Sequence, residues 1–104
     1  METELDTILQ IELTILVHVI ELENAQFSIY PPQKIINRFN NMTKKIVGAE
    51  MATPKKIEIY LNKLQKIKII AKFYTKDKDY GRLVYYKINH PIQKCYSIIK
   101  EHYI

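Results

Sequence analysis

The spacing of apolar residues changes once along this chain, and this change limits the folds that it can form. As far as about Lys66, apolar residues recur every three or four positions, as they do on one side of a helix. Beyond that point they alternate with other residues over 67–74 and again over 83–88, which is typical of strands. The polar segment 76–82 between these runs contains Gly81, which suits the positive φ of a turn. The sequence therefore predicts an α+β fold, mainly α, with one β-hairpin.

Four helices are expected beside the hairpin. The first covers residues 5–22, where the alternation over 11–19 would also suit a strand, but the length without glycine or proline favours a helix. The second begins after Pro31-Pro32, and the third has Thr53 as its N-cap and Pro54 as its first residue. The last begins at Asn89-His90-Pro91, and a short strand is expected near 27–30. The second helix is expected to bury Ile35, Ile36, Phe39, Met42 and Ile46.

One domain accounts for the whole chain, residues 1–104. The 104 residues are 47% hydrophobic, which is enough apolar material for one core but not for two. The single cysteine, Cys95, excludes an internal disulfide and fits a reducing compartment. The first residues are acidic where a secretory signal is basic, and no apolar run approaches the length of a membrane span. We therefore expect a cytoplasmic protein without membrane contact, with nucleoid association or a viral or plasmid origin left open.

Charge is divided unevenly along the chain. Residues 1–30 contain six acidic residues and no lysine or arginine, whereas residues 31–104 contain all 16 lysines and arginines and five acidic residues. A small domain with that basic excess attracts polyanions, and nucleic acid is the first candidate. The alternative is that the lysines only keep an isoleucine- and tyrosine-rich chain in solution. The acidic N-terminal region is a candidate contact for a protein partner.

Two apolar rows remain after the expected core has been assigned. The first helix carries a second apolar row, and the last helix carries an apolar stripe of its own. Since an uncovered apolar surface needs a partner, we expect a homodimer in which these two helices form the contact. The predicted dimer interface consists of Ile11, Ile15, Val19, Leu22, Cys95, Tyr96, Ile99 and Tyr103.

The order of the predicted elements resembles the winged helix-turn-helix superfamily of DNA-binding proteins. The segment 53–64, followed directly by 67–70, is similar to a recognition helix that continues into the first strand of the wing. The resemblance covers residues 8–88, and it implies a three-helix core with a β-hairpin wing, to which N- and C-terminal dimerisation helices are added. The chain departs from the family pattern in its long connection over 44–52. It also has few arginines for bidentate contacts with guanine, namely Arg38 and Arg82.

The residues themselves favour a DNA-binding surface on the same elements. A helix that enters the major groove needs small or basic side chains on its exposed first turns, and the third helix has them opposite its apolar stripe. Ile59 could contact a thymine methyl group or pack on a neighbouring element, and both alternatives stay open. Basic residues of the second helix would contact phosphates, unless they only form a solvated face, and those at the tip of the hairpin could reach phosphates or the minor groove. The predicted DNA-binding residues are Lys34, Arg38 and Lys45 in the second helix, Thr53, Lys55, Lys56, Ile59 and Lys63 in the third, and Lys76, Lys78 and Arg82 in the hairpin.

The sequence contains no recognisable catalytic or metal-binding motif. Its three histidines are far apart, Cys95 lies on an apolar stripe, and two glycines cannot form a glycine-rich phosphate loop. We therefore expect no catalytic residue, no metal and no cofactor, and we do not expect an enzyme.

The predicted function is sequence-specific binding of double-stranded DNA by a homodimer that regulates transcription. Two alternatives stay open. The first is a DNA-segregation (centromere-binding) or replication accessory protein of a plasmid or virus. The second is a winged-helix protein-interaction module that does not bind DNA.

Overall fold

The computed structural model of the chain describes residues 4–23 and 27–103, with side chains from Thr7 onward. Its elements are α1 (Glu4–Glu23), β1 (Ser28–Ile29), α2 (Gln33–Val47), α3 (Pro54–Lys66), β2 (Ile70–Asp77), β3 (Gly81–Ile88) and α4 (Ile92–His102). The strands form one antiparallel sheet in the order β1-β3-β2. The predicted α+β fold, mainly helical, is confirmed, and the hairpin of β2 and β3 lies where the spacing of apolar residues changes.

The first helix lies at the centre of the core. Leu13, Leu16 and Val17 on α1 have no exposed surface, and α1 packs against α2, α4 and β3. A helix with apolar residues on two sides must be covered on both. Because α4 returns from the far end of the chain to contact α1, the middle of this second apolar side, at Ile15 and Val19, is buried within the single chain, whereas Ile11 and Leu22 stay exposed.

The predicted dimer interface needs a correction at half of its positions. Buried side chains have no surface left to present to another chain, and four of the predicted interface residues are buried within the single chain, namely Ile15, Val19, Cys95 and Ile99. The other four keep exposed or half-buried surface, namely Ile11, Leu22, Tyr96 and Tyr103. The periodicity of one helix shows that its apolar side must pack against something, but it does not show whether the same chain or a second copy provides the contact.

The predicted N-cap of α3 and the predicted turn glycine are confirmed, and α2 ends at a glycine. The backbone of Gly48, which follows α2, has φ 66°, in the left-handed region that glycine adopts without strain. Thr53 is the N-cap of α3, and its Oγ1 accepts a hydrogen bond of 3.2 Å from the backbone N–H of Lys56. Gly81 has φ 77° at the end of the hairpin turn.

One local prediction was wrong. Ile46 is 59% exposed, because it lies in the last turn of α2, where the core no longer covers its side of the helix. The predicted start of α4 at Asn89-His90-Pro91 is confirmed, since Pro91 is its N-cap, although no side chain caps the helix by a hydrogen bond. The side chain of Asn89 donates to the backbone oxygen of Lys68, because β3 ends beside the start of β2.

None of the helices in the described part of the chain is long and apolar enough to cross a membrane.

The packing of α4 on α1 predicts the effect of truncating Ile99, which is 1% exposed. We expect Ile99→Ala to lower the free energy of unfolding by about 2–4 kcal/mol, because it removes buried methyl groups and leaves a cavity. Urea denaturation measures this loss, and the exposed control Gln93→Ala should change it by less than about 0.5 kcal/mol. The loss should be the same at low and high protein concentration. A loss that depends on concentration would place Ile99 between two chains instead.

Candidate nucleic-acid interface

The third helix presents one side to the core and the opposite side to solvent. Its buried residues are Ile57, Tyr60, Leu61 and Leu64. Its outward row consists of Lys55, Ile59, Asn62 and Lys66, all of them exposed. These positions are three or four residues apart, so they lie along one line of the helix. Lys55 and Ile59 are among the predicted DNA contacts, whereas Asn62 and Lys66 are not, although the helical spacing from Ile59 identifies both.

The start of α3 is attached to α2 by one buried side chain. Asn40 of α2 is 4% exposed, and its side-chain amide forms two hydrogen bonds with the backbone of Ala52. Its Oδ1 accepts from the Ala52 N–H at 2.8 Å, and its Nδ2 donates to the Ala52 oxygen at 3.2 Å. A buried amide satisfied in this way favours one arrangement of the chain around it. The connection between α2 and α3 covers 48–53, shorter than the predicted 44–52 because α2 continues to Val47, and Asn40 holds it so that α3 begins at a defined position.

The end of α3 is joined to the sheet by a tight turn. Lys68 has φ 62°, a left-handed conformation that is uncommon for a residue other than glycine. The surrounding hydrogen bonds hold it there: its N–H donates to the Gln65 oxygen at 3.0 Å, and its own oxygen accepts from the Asn89 side chain at 3.2 Å. The turn therefore fixes the direction of the hairpin relative to α3.

One flank of α3 faces the hairpin. Burial raises the pKa of Tyr30 above its ordinary value, and the nearby Glu58 carboxylate raises it further. The ammonium group of Lys72 on β2 lies 4.9 Å from the centre of the Tyr30 ring. Glu58, Tyr30 and Lys72 thus connect the flank of α3 to the face of the sheet that packs on the core.

Basic side chains continue along that face of the hairpin. Lys72, Tyr74 and Lys76 on β2 lie opposite Tyr86, Val84 and Arg82 on β3, and side chains directly opposite each other share a face. The guanidinium carbon of Arg82 lies 5.3 Å from the centre of the exposed Tyr74 ring. We call the outward row of α3 and these hairpin side chains the α3–hairpin face: Lys55, Ile59, Asn62, Lys66, Lys72, Tyr74, Lys76 and Arg82.

The tip of the hairpin is shaped by an acidic side chain. Asp77 accepts hydrogen bonds from the backbone N–H groups of Asp79 at 2.8 Å and Tyr80 at 3.2 Å. The predicted DNA contact Lys78 is exposed within this turn. Asp77 therefore has a structural role in the turn, beyond its effect on the local charge.

The other flank of α3 faces α1 and the end of α4. Glu12 of α1 is 6% exposed, and its Oε2 accepts from the Tyr60 hydroxyl at 3.2 Å. The ammonium of Lys56 lies 3.8 Å from the same oxygen. A buried carboxylate requires such partners. Lys56, predicted to contact DNA, is therefore directed towards α1, and Lys63 is directed towards α4, with its ammonium 5.8 Å from the centre of the Tyr103 ring.

The predicted basic row of α2 lies apart from the α3–hairpin face. Arg38 donates to Glu23 at the end of α1 at 2.6 Å. Lys34, Arg38 and Lys45 line one shallow groove with Glu23. The contact of α2 with the start of α3 is made from Asn40, which lies roughly 120–160° around the helix from these three residues at 100° per residue. The predicted basic residues are therefore divided among three surfaces. Lys55, Lys76 and Arg82 lie on the α3–hairpin face, Lys34, Arg38 and Lys45 lie on α2, and Lys56 and Lys63 lie on the flank of α3 that faces α1 and α4.

Within the described residues, no three histidine, cysteine or acidic side chains lie close enough together to hold a metal ion.

Buried tyrosines predict how stability depends on alkaline pH. Burial, with the Glu12 carboxylate as a second cause, raises the pKa of Tyr60 to about 12, and burial raises the pKa of Tyr86 to about 12. A tyrosine with a raised pKa stabilises the fold fully below pH about 10, its ordinary value, and this contribution is lost as the pH approaches 12. We expect the free energy of unfolding, measured by urea denaturation, to fall over this range.

The variant Tyr60→Phe should lower stability at pH 8 by about 1–2 kcal/mol, because Glu12 loses a hydrogen-bond donor. Its stability should then fall less steeply above pH 10 than that of the wild type. The control Tyr80→Phe changes an exposed ring and should keep the wild-type dependence. If the free energy of unfolding of Tyr60→Phe fell as steeply above pH 10 as that of the wild type, Tyr60 would not be a cause of this pH dependence.

Comparison with known proteins gives one match. A family model described as Borrelia ORF-A matches residues 9–104. No curated protein and no solved structure matches the chain. The matched segment contains the whole α3–hairpin face, together with the α1 and α4 residues that contact α3.

Proposed function

The chain belongs to the Borrelia ORF-A family, and we propose that it is a winged-helix protein that binds double-stranded DNA through its α3–hairpin face. The order of elements supports this proposal, because α3 leads directly into a hairpin that would be the wing. The strand order supports it as well, since β1, between α1 and α2, pairs with the second strand of that hairpin. The proposed activity is binding and not catalysis.

The α3–hairpin face is the observation that carries the proposal. Its eight residues include five lysines and arginines and no acidic residue. The acidic residue on the flank of α3, Glu58, lies near Tyr30. An exposed row of helical side chains together with a basic hairpin is the combination with which such a protein would bind the major groove and its phosphates.

The proposed mechanism begins with electrostatic capture of the phosphate backbone. The outward row of α3 then enters the major groove, where Asn62 could pair with the edge of an adenine and Lys55 with guanine acceptors. Ile59 is 46% exposed in this row and offers an apolar contact for a thymine methyl group. Lys72, Lys76 and Arg82 of the hairpin would contact phosphates beside the groove.

We further propose that the protein acts as a homodimer and regulates transcription. Two recognition helices about one helical turn apart would bind a palindromic site. The exposed or half-buried residues Ile11, Leu22 and Tyr96 remain candidates for the dimer contact. The acidic N-terminal region offers less to a protein partner than its sequence indicates, because Glu12 and Glu23 are engaged within the chain. Glu2 and the side chains of Glu4 and Asp6 lie outside the described residues.

DNA binding is tested with two variants that lose the same charge from different surfaces. Lys55→Ala with Lys66→Ala removes two lysines from the α3–hairpin face, and Lys34→Ala with Lys45→Ala removes two from α2. Fluorescence anisotropy with a duplex at several salt concentrations measures affinity and its salt dependence. We expect the first variant to bind more weakly, with a logarithmic salt slope smaller in magnitude by about 1 for each lysine that contacts phosphate. The second should stay close to the wild type.

Three results would change this conclusion. An equal loss in both variants would indicate unspecific attraction to the whole basic surface. Weak binding with a shallow salt slope in the wild type would favour the protein-interaction module. Footprints of several dimers spreading over tandem sites, instead of one palindromic footprint, would favour the DNA-segregation protein.

The oligomeric state is tested by light scattering during size-exclusion chromatography. We expect the mass of two chains instead of 12.4 kDa. Ile11→Asp should shift the protein towards the monomer, because it places a charge in the proposed apolar contact. A wild-type protein that elutes as a monomer both free and bound to a palindromic duplex would rule out the dimer.

A further inference from the structure

A basic groove lies between α3 and the end of α4. It has a volume of about 600 Å³, and it is lined by Ile59, Asn62, Lys63, Lys66, Ile67, His102 and Tyr103. None of these lining residues is acidic. Ile59, Asn62 and Lys66 also belong to the α3–hairpin face, so the groove continues that face around the flank of α3 opposite the hairpin.

The end of α4 is held in place beside this groove. Gln10 of α1 donates a side-chain hydrogen bond to the backbone oxygen of Tyr103. Lys63 of α3 places its ammonium over the Tyr103 ring. Ile99, one turn earlier, is buried in the core. These contacts keep His102 and Tyr103 at a fixed position relative to α3 without a bound ligand.

The two flanks of α3 have different neighbours. Glu58 connects one flank to Tyr30 and the hairpin, whereas Lys63 connects the other to Tyr103. A helix that lies in the major groove has a phosphate backbone on each side of it, because the groove is only about 12 Å wide. The hairpin can reach the backbone of one strand, and the end of α4 is placed to reach the other.

We propose that the groove between α3 and α4 binds phosphates of the DNA strand on the side away from the hairpin. The inference rests on the proposed function and extends it to α4, a helix that the sequence analysis had assigned to dimerisation. Lys63, Lys66 and His102 supply the donors. Because these contacts go to the backbone, they add affinity on every sequence alike and carry no base preference.

A purely structural explanation of the same residues exists. Lys66 and His102 lie in the last turns of α3 and α4, where basic side chains compensate the unpaired carbonyl groups of a helix. That role would affect stability and leave DNA affinity unchanged. The experiment must therefore measure both.

The test compares two double variants of the full chain. Lys63→Gln with His102→Gln changes the groove but spares the outward row of α3. Lys94→Gln with His90→Gln makes the same chemical change near the start of α4. For the first variant we expect binding about three- to tenfold weaker on any duplex, with a salt slope smaller in magnitude by about 1. The control variant should bind within about twofold of the wild type, and thermal unfolding checks that both variants fold.

The outcomes separate this inference from the proposed function. Wild-type DNA binding that depends on Lys55 and Lys66 but is unchanged in the groove variant would overturn the inference alone. A groove variant with a lower melting temperature and unchanged DNA affinity would show that the changed side chains only stabilise the ends of their helices. A loss confined to one DNA sequence would contradict a backbone contact. A wild-type protein that binds no duplex at low salt would overturn both.

Discussion

The packing of α1 between α2, α4 and β3 organises the fold. Leu13, Leu16 and Val17 have no exposed surface, and α2, α4 and β3 all pack against this helix. Because a helix with two apolar sides is stable only when both are covered, α4 must return to α1. That return also brings the end of α4 beside α3, where it forms one wall of the basic groove.

Polar contacts give α3 its position within this apolar frame. Asn40 fixes the chain just before the helix, and the turn at Lys68 fixes the chain just after it. Glu12 and Tyr60 hold the flank of the helix against α1. Apolar packing is tolerant of small rotations, whereas buried hydrogen bonds depend strongly on direction. These polar groups therefore determine which row of α3 faces outward.

Folding brings part of the acidic N-terminal segment into contact with part of the basic remainder of the chain. Two acidic residues of α1 pair with basic residues that the sequence assigned to DNA, namely Glu12 with Lys56 and Glu23 with Arg38. These pairs partly neutralise the basic residues nearest to α1. The basic side chains farther from it, on α3 and the hairpin, keep their charge available for a polyanion.

Periodicity and capping were enough to predict the four helices, the hairpin and the start of α3 at Thr53, because they depend on residues close together in the chain. The same spacing predicted that Lys55 and Ile59 lie opposite the buried residues of α3. In contrast, it did not show that α4 packs on α1 or that the basic row of α2 faces Glu23. These outcomes depend on contacts between distant segments, and the pattern within one element indicates that a side needs a partner without showing which segment provides it.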